Sequence, residues 1–118
     1  MKIARVILRV TDLEQAVEFW SETVGFDVVF SGGAFAFLDG GGVQLALNEV
    51  DRVDPGSLTE LVIEVDDFES EFTAAVERGV PFEVEPRTVT SEGGRDLVAA
   101  HFRDPDGNLA SLTGWVSG

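Results

Sequence analysis

The chain has no cysteine, a single histidine and a single lysine, and no long uncharged apolar run. Without cysteine there is no disulfide framework, no thiolate zinc site and no cysteine nucleophile. Basic residues are also scarce, 8 against 22 acidic ones for a net charge of −14. The acids are scattered along the chain, so they form a solvated anionic surface that repels phosphate backbones and anionic lipid. Nucleic acid and membrane are therefore not expected partners. The opening stretch, Met1 to Val10, alternates apolar residues with Lys2, Arg5 and Arg9, which fits neither a signal peptide nor a membrane span. With 118 residues, 44% of them apolar, one cytoplasmic domain over residues 1–118 is expected. Acid excess with one Lys beside seven Arg resembles the composition of proteins from salt-loving organisms, in which molar salt screens the repulsion.

What is present is a repeat. Val6 to Glu14 overlays Leu61 to Glu69, so an apolar strand meets an acidic helix start twice, half a chain apart. Phe37 to Leu47 overlays Phe102 to Leu112, so each copy ends in a hairpin with a Gly turn. Asp12 with Gln15 is an N-cap pattern, Leu13, Ala16, Val17, Trp20 and Val24 recur at helical spacing, and Gly25 stops the helix. In the second copy Asp67 caps, Phe68, Phe72, Ala75 and Val76 form the stripe, and Gly79 ends it. Strands are expected near 3–10, 26–31, 34–38, 43–48, 59–65, 81–85, 97–103 and 108–113. Module one runs about 1–50, a linker about 51–57, and module two about 58–118. Each module is a β-α-β-β-β unit whose helix covers one sheet face, and two such units enclose a cleft between their open faces.

The run Val10-Thr11-Asp12-Leu13-Glu14-Gln15-Ala16-Val17-Glu18-Phe19-Trp20, followed by Val24-Gly25-Phe26, resembles the opening helix motif of glyoxalase I and bleomycin-resistance-type proteins. Phe102-Arg103-Asp104-Pro105-Asp106-Gly107-Asn108 is similar to the closing hairpin of the same group, the vicinal oxygen chelate superfamily. The resemblance implies an α+β fold, two tandem βαβββ modules making a curved eight-stranded mixed sheet around a cleft, usually in a homodimer. Metal-dependent members hold a divalent ion with His or Glu from the first and last strands of each module. Those positions fall here on Arg5, Ala46, Glu60 and Ser111. Only Glu60 is a good ligand, since a guanidinium is a donor without a usable lone pair, Ala offers nothing and a Ser hydroxyl is poor. No metal or other cofactor is therefore expected.

Strand alternation places Arg5, Ile7 and Arg9 on one face, with Glu60, Val62 and Glu64 at the equivalent places in the second copy. By the same parity Phe35, Phe37, Gln44, Ala46, Asn48, Leu109, Ser111 and Thr113, with Trp115, are cleft-wall candidates. Arg5 is expected to pair with Glu60 in place of the ion, and Arg9 either meets an anionic or carbonyl-bearing ligand or pairs with Glu64. Trp20 belongs to the helix stripe and reads as packing. His101, with no carboxylate partner evident, reads as structural. The function implied is metal-independent binding of a small hydrophobic or aromatic molecule, of sequestration or resistance type. A metal-dependent lyase or isomerase of glyoxalase type, a ring-cleaving dioxygenase, and a scaffold with a vestigial cleft are the alternatives.

Overall fold

The computed structural model describes residues 1–54 and 59–118, and its eight strands fall into two four-stranded mixed sheets. The chain divides into two compact units, one for each half of the repeat, with the short turn Asp104–Gly107 belonging to the first. Of the expected linker, residues 55–57 lie outside the described residues.

In the first unit, β1 (Arg5–Val10) leads into α1 (Leu13–Glu18), followed by β2 (Val28–Gly32), β3 (Phe35–Asp39) and β4 (Gln44–Glu49). The sheet order is β1-β4-β3-β2, with β1 and β4 parallel and the other pairs antiparallel. The second unit repeats this with β5 (Glu60–Glu64), α2 (Phe68–Glu77), β6 (Phe82–Glu92), β7 (Arg95–Arg103) and β8 (Leu109–Ser117), in the order β5-β8-β7-β6. The expected βαβββ modules and α+β class are thus present, the eight strands being shared four and four between the sheets.

Both caps form as the sequence indicates. Asp12 Oδ1 accepts from the Gln15 amide at 3.1 Å, and Asp67 Oδ1 from the Ser70 amide at 3.2 Å. These bonds satisfy helix-start N–H groups that have no partner within the helix. A second carboxylate helps at the first helix: Glu49 accepts from the Leu13 amide at 2.7 Å.

The first helix departs from expectation after Glu18. Phe19–Val24 is π-helical, and the Trp20 carbonyl accepts from the amides of both Gly25 (3.2 Å) and Phe26 (3.0 Å). Gly25 sits at φ 116°, a conformation that only glycine adopts cheaply. Trp20 is fully buried, its indole edge-on to Phe19. Its Nε1 donates to Asp104 Oδ2 at 3.2 Å. Asp104 Oδ1 accepts from the Asp106 amide at 3.0 Å, and Asp106 Oδ1 accepts from both the amide and the hydroxyl of Thr11. The turn Asp104–Gly107 is therefore seated by the same Thr11-to-Trp20 stretch that forms the first helix.

The remaining departures lie in the second unit. On α2, Phe68 and Ala75 are buried as the stripe requires, but Val76 is half exposed. Strand β6 runs well beyond residue 85 to Glu92, and β8 beyond 113 to Ser117, so the gap expected between 85 and 97 shrinks to Gly93 and Gly94. Pro86 concealed this continuity. Proline donates no ladder hydrogen bond, yet β6 is an edge strand and its pairing shifts register between Val84 and Arg87, where proline is accommodated. Close packing of α2 depends on Gly114, since a Cβ there would lie 2.8 Å from Phe68 Cβ and 3.1 Å from the Val65 carbonyl oxygen.

Candidate functional site

Each sheet has a helix-side face and an open face, and strand parity decides which side chains stand on the open one. In the first sheet the helix-side residues Leu8, Val10, Ala36, Leu38, Leu45 and Leu47 are buried. The register then fixes three rows on the open face: Arg5, Gln44 and Asp39; Ile7, Ala46, Phe37 and Phe30; Arg9, Asn48, Phe35 and Gly32. Every candidate named from the first copy is brought together here, with Phe30 added.

Arg5 lies with its guanidinium carbon 5.6 Å from the Phe37 ring centroid, and its Nε donates to Gln44 Oε1 at 3.4 Å. The Phe37 ring is itself 5.9 Å from Phe30 and 6.1 Å from Phe35. Phe30 and Ile7 are about half exposed, while Ala46, between Ile7 and Phe37, is fully buried. Beside this patch a groove of about 310 Å³ is lined by Lys2, Arg5, Asp39, Gly42 and Gln44 among others. Arg9 is already engaged in an interaction of its own, so it is not the free cation that one of the readings of the sequence required.

In the second sheet the open-face rows are Glu60, Leu109 and Arg103; Val62, Ser111, His101 and Val84; Glu64, Thr113 and Ala99. Glu60 has partners inside its own sheet. Its Oε2 accepts from the Ser111 hydroxyl at 3.1 Å, and its Oε1 lies 3.4 Å from His101 Nε2. The histidine expected to have no carboxylate neighbour therefore has one, and its Nδ1 is buried without a hydrogen bond. Counting outward from the five-residue loop Asp104–Asn108 puts Arg103 opposite Leu109 and His101 opposite Ser111, so hairpin register was the signal that could have found this cluster. Ser111 and Thr113 are buried, and the Thr113 hydroxyl donates to the Ile63 carbonyl, leaving its proton unavailable to a ligand. Val62 is well exposed, and Trp115 is half-buried with the Arg95 guanidinium 4.9 Å from its ring. A further groove of about 490 Å³ lies on the helix side of this sheet, where Phe68 and Phe72 of α2 meet Arg87 and Val98.

A family model described as the Glyoxalase/Bleomycin resistance protein/Dioxygenase superfamily matches residues 2–112. The chain belongs to this superfamily. An uncharacterized protein of Mycolicibacterium smegmatis is 42% identical over 59 residues, a match spanning 48% of this chain and half of that protein. Metallothiol transferase FosB of Lysinibacillus sphaericus is 28% identical over 110 residues, 90% of this chain and 77% of that one. Among solved structures, a glyoxalase/bleomycin resistance protein/dioxygenase from Alicyclobacillus acidocaldarius superposes with a TM-score of 0.82 at 21% identity, covering 98% of this chain and 92% of the other. That likeness extends to the fold.

The residues at the superfamily's metal-ligand positions do not suit an ion. Arg5 offers hydrogen-bond donors already directed at Gln44 and a ring, and Ala46 offers a buried methyl group. Ser111 spends its proton on Glu60, whose carboxylate is the single strong donor of the four. Among the described residues no group of three or more His, Asp or Glu side chains converges as a metal site. No described helix is long and apolar enough to cross a membrane.

Proposed function

We propose that this superfamily member is a metal-independent binder of a small hydrophobic or aromatic molecule, of the sequestration or resistance type, working as a cytoplasmic homodimer. The observation that carries the reading is the replacement chemistry at the metal positions: a guanidinium fixed over Phe37, a buried methyl, and a carboxylate clasped by Ser111 and His101. The aromatic patch on the open face of the first sheet supplies what such a ligand needs, exposed ring area beside a few polar groups. Exposed Val28, Val29 and Phe30 on edge strand β2 favour association with a second copy.

The test is calorimetric titration of chelator-treated protein with Zn²⁺, Ni²⁺, Mn²⁺ and Fe²⁺, together with binding of the neutral dye N-phenyl-1-naphthylamine. The reading expects no stoichiometric ion held tighter than roughly 10 μM, and saturable dye binding indifferent to chelator. A tightly held divalent ion, or dye binding that depends on one, overturns it.

A metal-dependent lyase, isomerase or dioxygenase is the second reading, and one observation favours it. His101 Nε2 and Glu60 Oε1 lie 3.4 Å apart on one face. Two donors fall short of the three protein ligands usual at a catalytic zinc, so the same titration decides between the readings.

A further inference from the structure

The open face of the first sheet carries an asymmetry that narrows the ligand. Its aromatic rows end, on the side of Arg5, at the groove lined by Lys2, Arg5 and Gln44. Two of the chain's 8 basic residues thus stand at one groove of a molecule whose net charge is −14. The groove also holds one carboxylate, Asp39, whose Oδ1 accepts from the Gly41 amide at 2.9 Å. Counting these three side chains, the groove keeps one net positive charge.

Arg5 is arranged to use that charge. Gln44 holds its Nε, the Phe37 ring lies under its guanidinium, and among the described residues it forms no ion pair. Its two terminal nitrogens therefore retain a donor fork of the geometry that matches a carboxylate or similar planar anion. The ring and Gln44 have already restricted the side chain, so less rotamer freedom is lost when an anion binds. The buried Ala46 beside Phe37 adds no side chain long enough to obstruct the approach.

We propose that the ligand of this face is an aromatic anion, its acidic head paired with the Arg5 guanidinium beside Lys2 and its ring system lying on Phe37, Phe35 and Phe30. The proposal rests on the small-molecule-binding reading above and adds the ligand's charge. It runs against the net charge of the chain, which by itself favours cations, so local geometry and global charge predict opposite preferences.

The test compares three naphthalenes with one ring system and different heads: 2-naphthoate, 2-naphthylmethanol and 2-naphthylmethylammonium. Fluorescence anisotropy is read in about 0.5 M KCl, where the field of the distant charges is screened to within a few ångströms. The naphthoate is expected to bind roughly tenfold more tightly than the ammonium, the size of a charge-assisted hydrogen bond. Arg5→Gln brings that ratio close to one, and Phe30→Leu, at an exposed ring of the patch away from the guanidinium, weakens all three probes alike with the ratio preserved. Arg5 is exposed, so its substitution spares the core, which far-UV circular dichroism verifies. A wild-type preference for the ammonium, or a preference for the naphthoate that survives Arg5→Gln, overturns the proposal. Equal binding of all three probes overturns the charge assignment and leaves the small-molecule reading standing. Binding of none of them, or only after a metal is added, removes both.

Discussion

Trp20→Phe tests how much of the first unit depends on seating the turn Asp104–Gly107. The substitution keeps an aromatic ring in the helix stripe but deletes the Nε1 donor that meets Asp104 Oδ2 at 3.2 Å. Both residues are buried, Trp20 completely and Asp104 to 4% exposure, so water does not readily take the donor's place. Losing a hydrogen bond to a charged group costs about 1.5–3 kcal/mol, and losing part of a buried ring adds about 1–2 kcal/mol. A total near 3–4 kcal/mol is a large share of the stability of a domain this size. With a urea slope of about 2 kcal/mol/M the midpoint falls by roughly 1.5–2 M, read by far-UV circular dichroism because the substitution removes one of the two tryptophans. A double-mutant cycle with Asp104→Asn isolates the pair and is expected to give a coupling of at least about 1 kcal/mol. A loss under about 1 kcal/mol for Trp20→Phe, with no coupling to Asp104, refutes the view that this contact seats the turn.

Gly114→Ala places a Cβ 2.8 Å from Phe68 Cβ and 3.1 Å from a backbone oxygen, so the second unit should lose about 1–3 kcal/mol; an unchanged melting temperature contradicts the packing described. Glu60→Gln should move the imidazole ¹⁵N resonances of His101, which are unambiguous because the chain has one histidine; unmoved resonances would mean the 3.4 Å approach is not an interaction. The charge of −14 predicts that the melting temperature rises by at least about 5 °C between 0.1 and 2 M KCl, and a flat dependence argues for an ordinary acidic protein.

The modules were legible because each used a signal with one structural meaning. Asp12 and Asp67 could cap because a short carboxylate before an apolar stripe has a local partner within three residues, and both do so. The repeat carried further than the caps, since Asp39 and Asp104 each accept from the amide two residues on, the same turn built twice. Parity was equally reliable: Arg5, Ile7, Gln44, Ala46, Phe35 and Phe37 share one face because a strand has no other way to place alternate residues. What parity leaves open is the partner of each side chain. Arg5 was assigned to Glu60 from the repeat, the family's ligand positions and opposite charge, whereas within its own sheet Arg5 reaches a ring and an amide on neighbouring strands and Glu60 a hydroxyl and an imidazole. The π-helical turn at Phe19–Val24 was hidden because Trp20 fits a helical period whether the turn holds four residues or five, and Asp104, which accepts from the Trp20 indole, lies 84 positions away.

The cluster around Glu60 keeps the open face of the second sheet polar. Glu60 is exposed, so its carboxylate keeps much of its hydration and the donors beside it orient it rather than offset a burial cost. Here the Ser111 hydroxyl satisfies one oxygen from the neighbouring strand, and His101 approaches the other from the strand beyond. On the first sheet the corresponding places hold Arg5 and Ala46, so the two open faces have opposite local character, cationic and aromatic on one, carboxylate and imidazole on the other. On the binding reading proposed, net charge is therefore a poor guide to the ligand. Salt at molar strength would mute the long-range repulsion and leave short contacts such as Arg5 with an anion and Glu60 with Ser111 as the terms that discriminate between ligands.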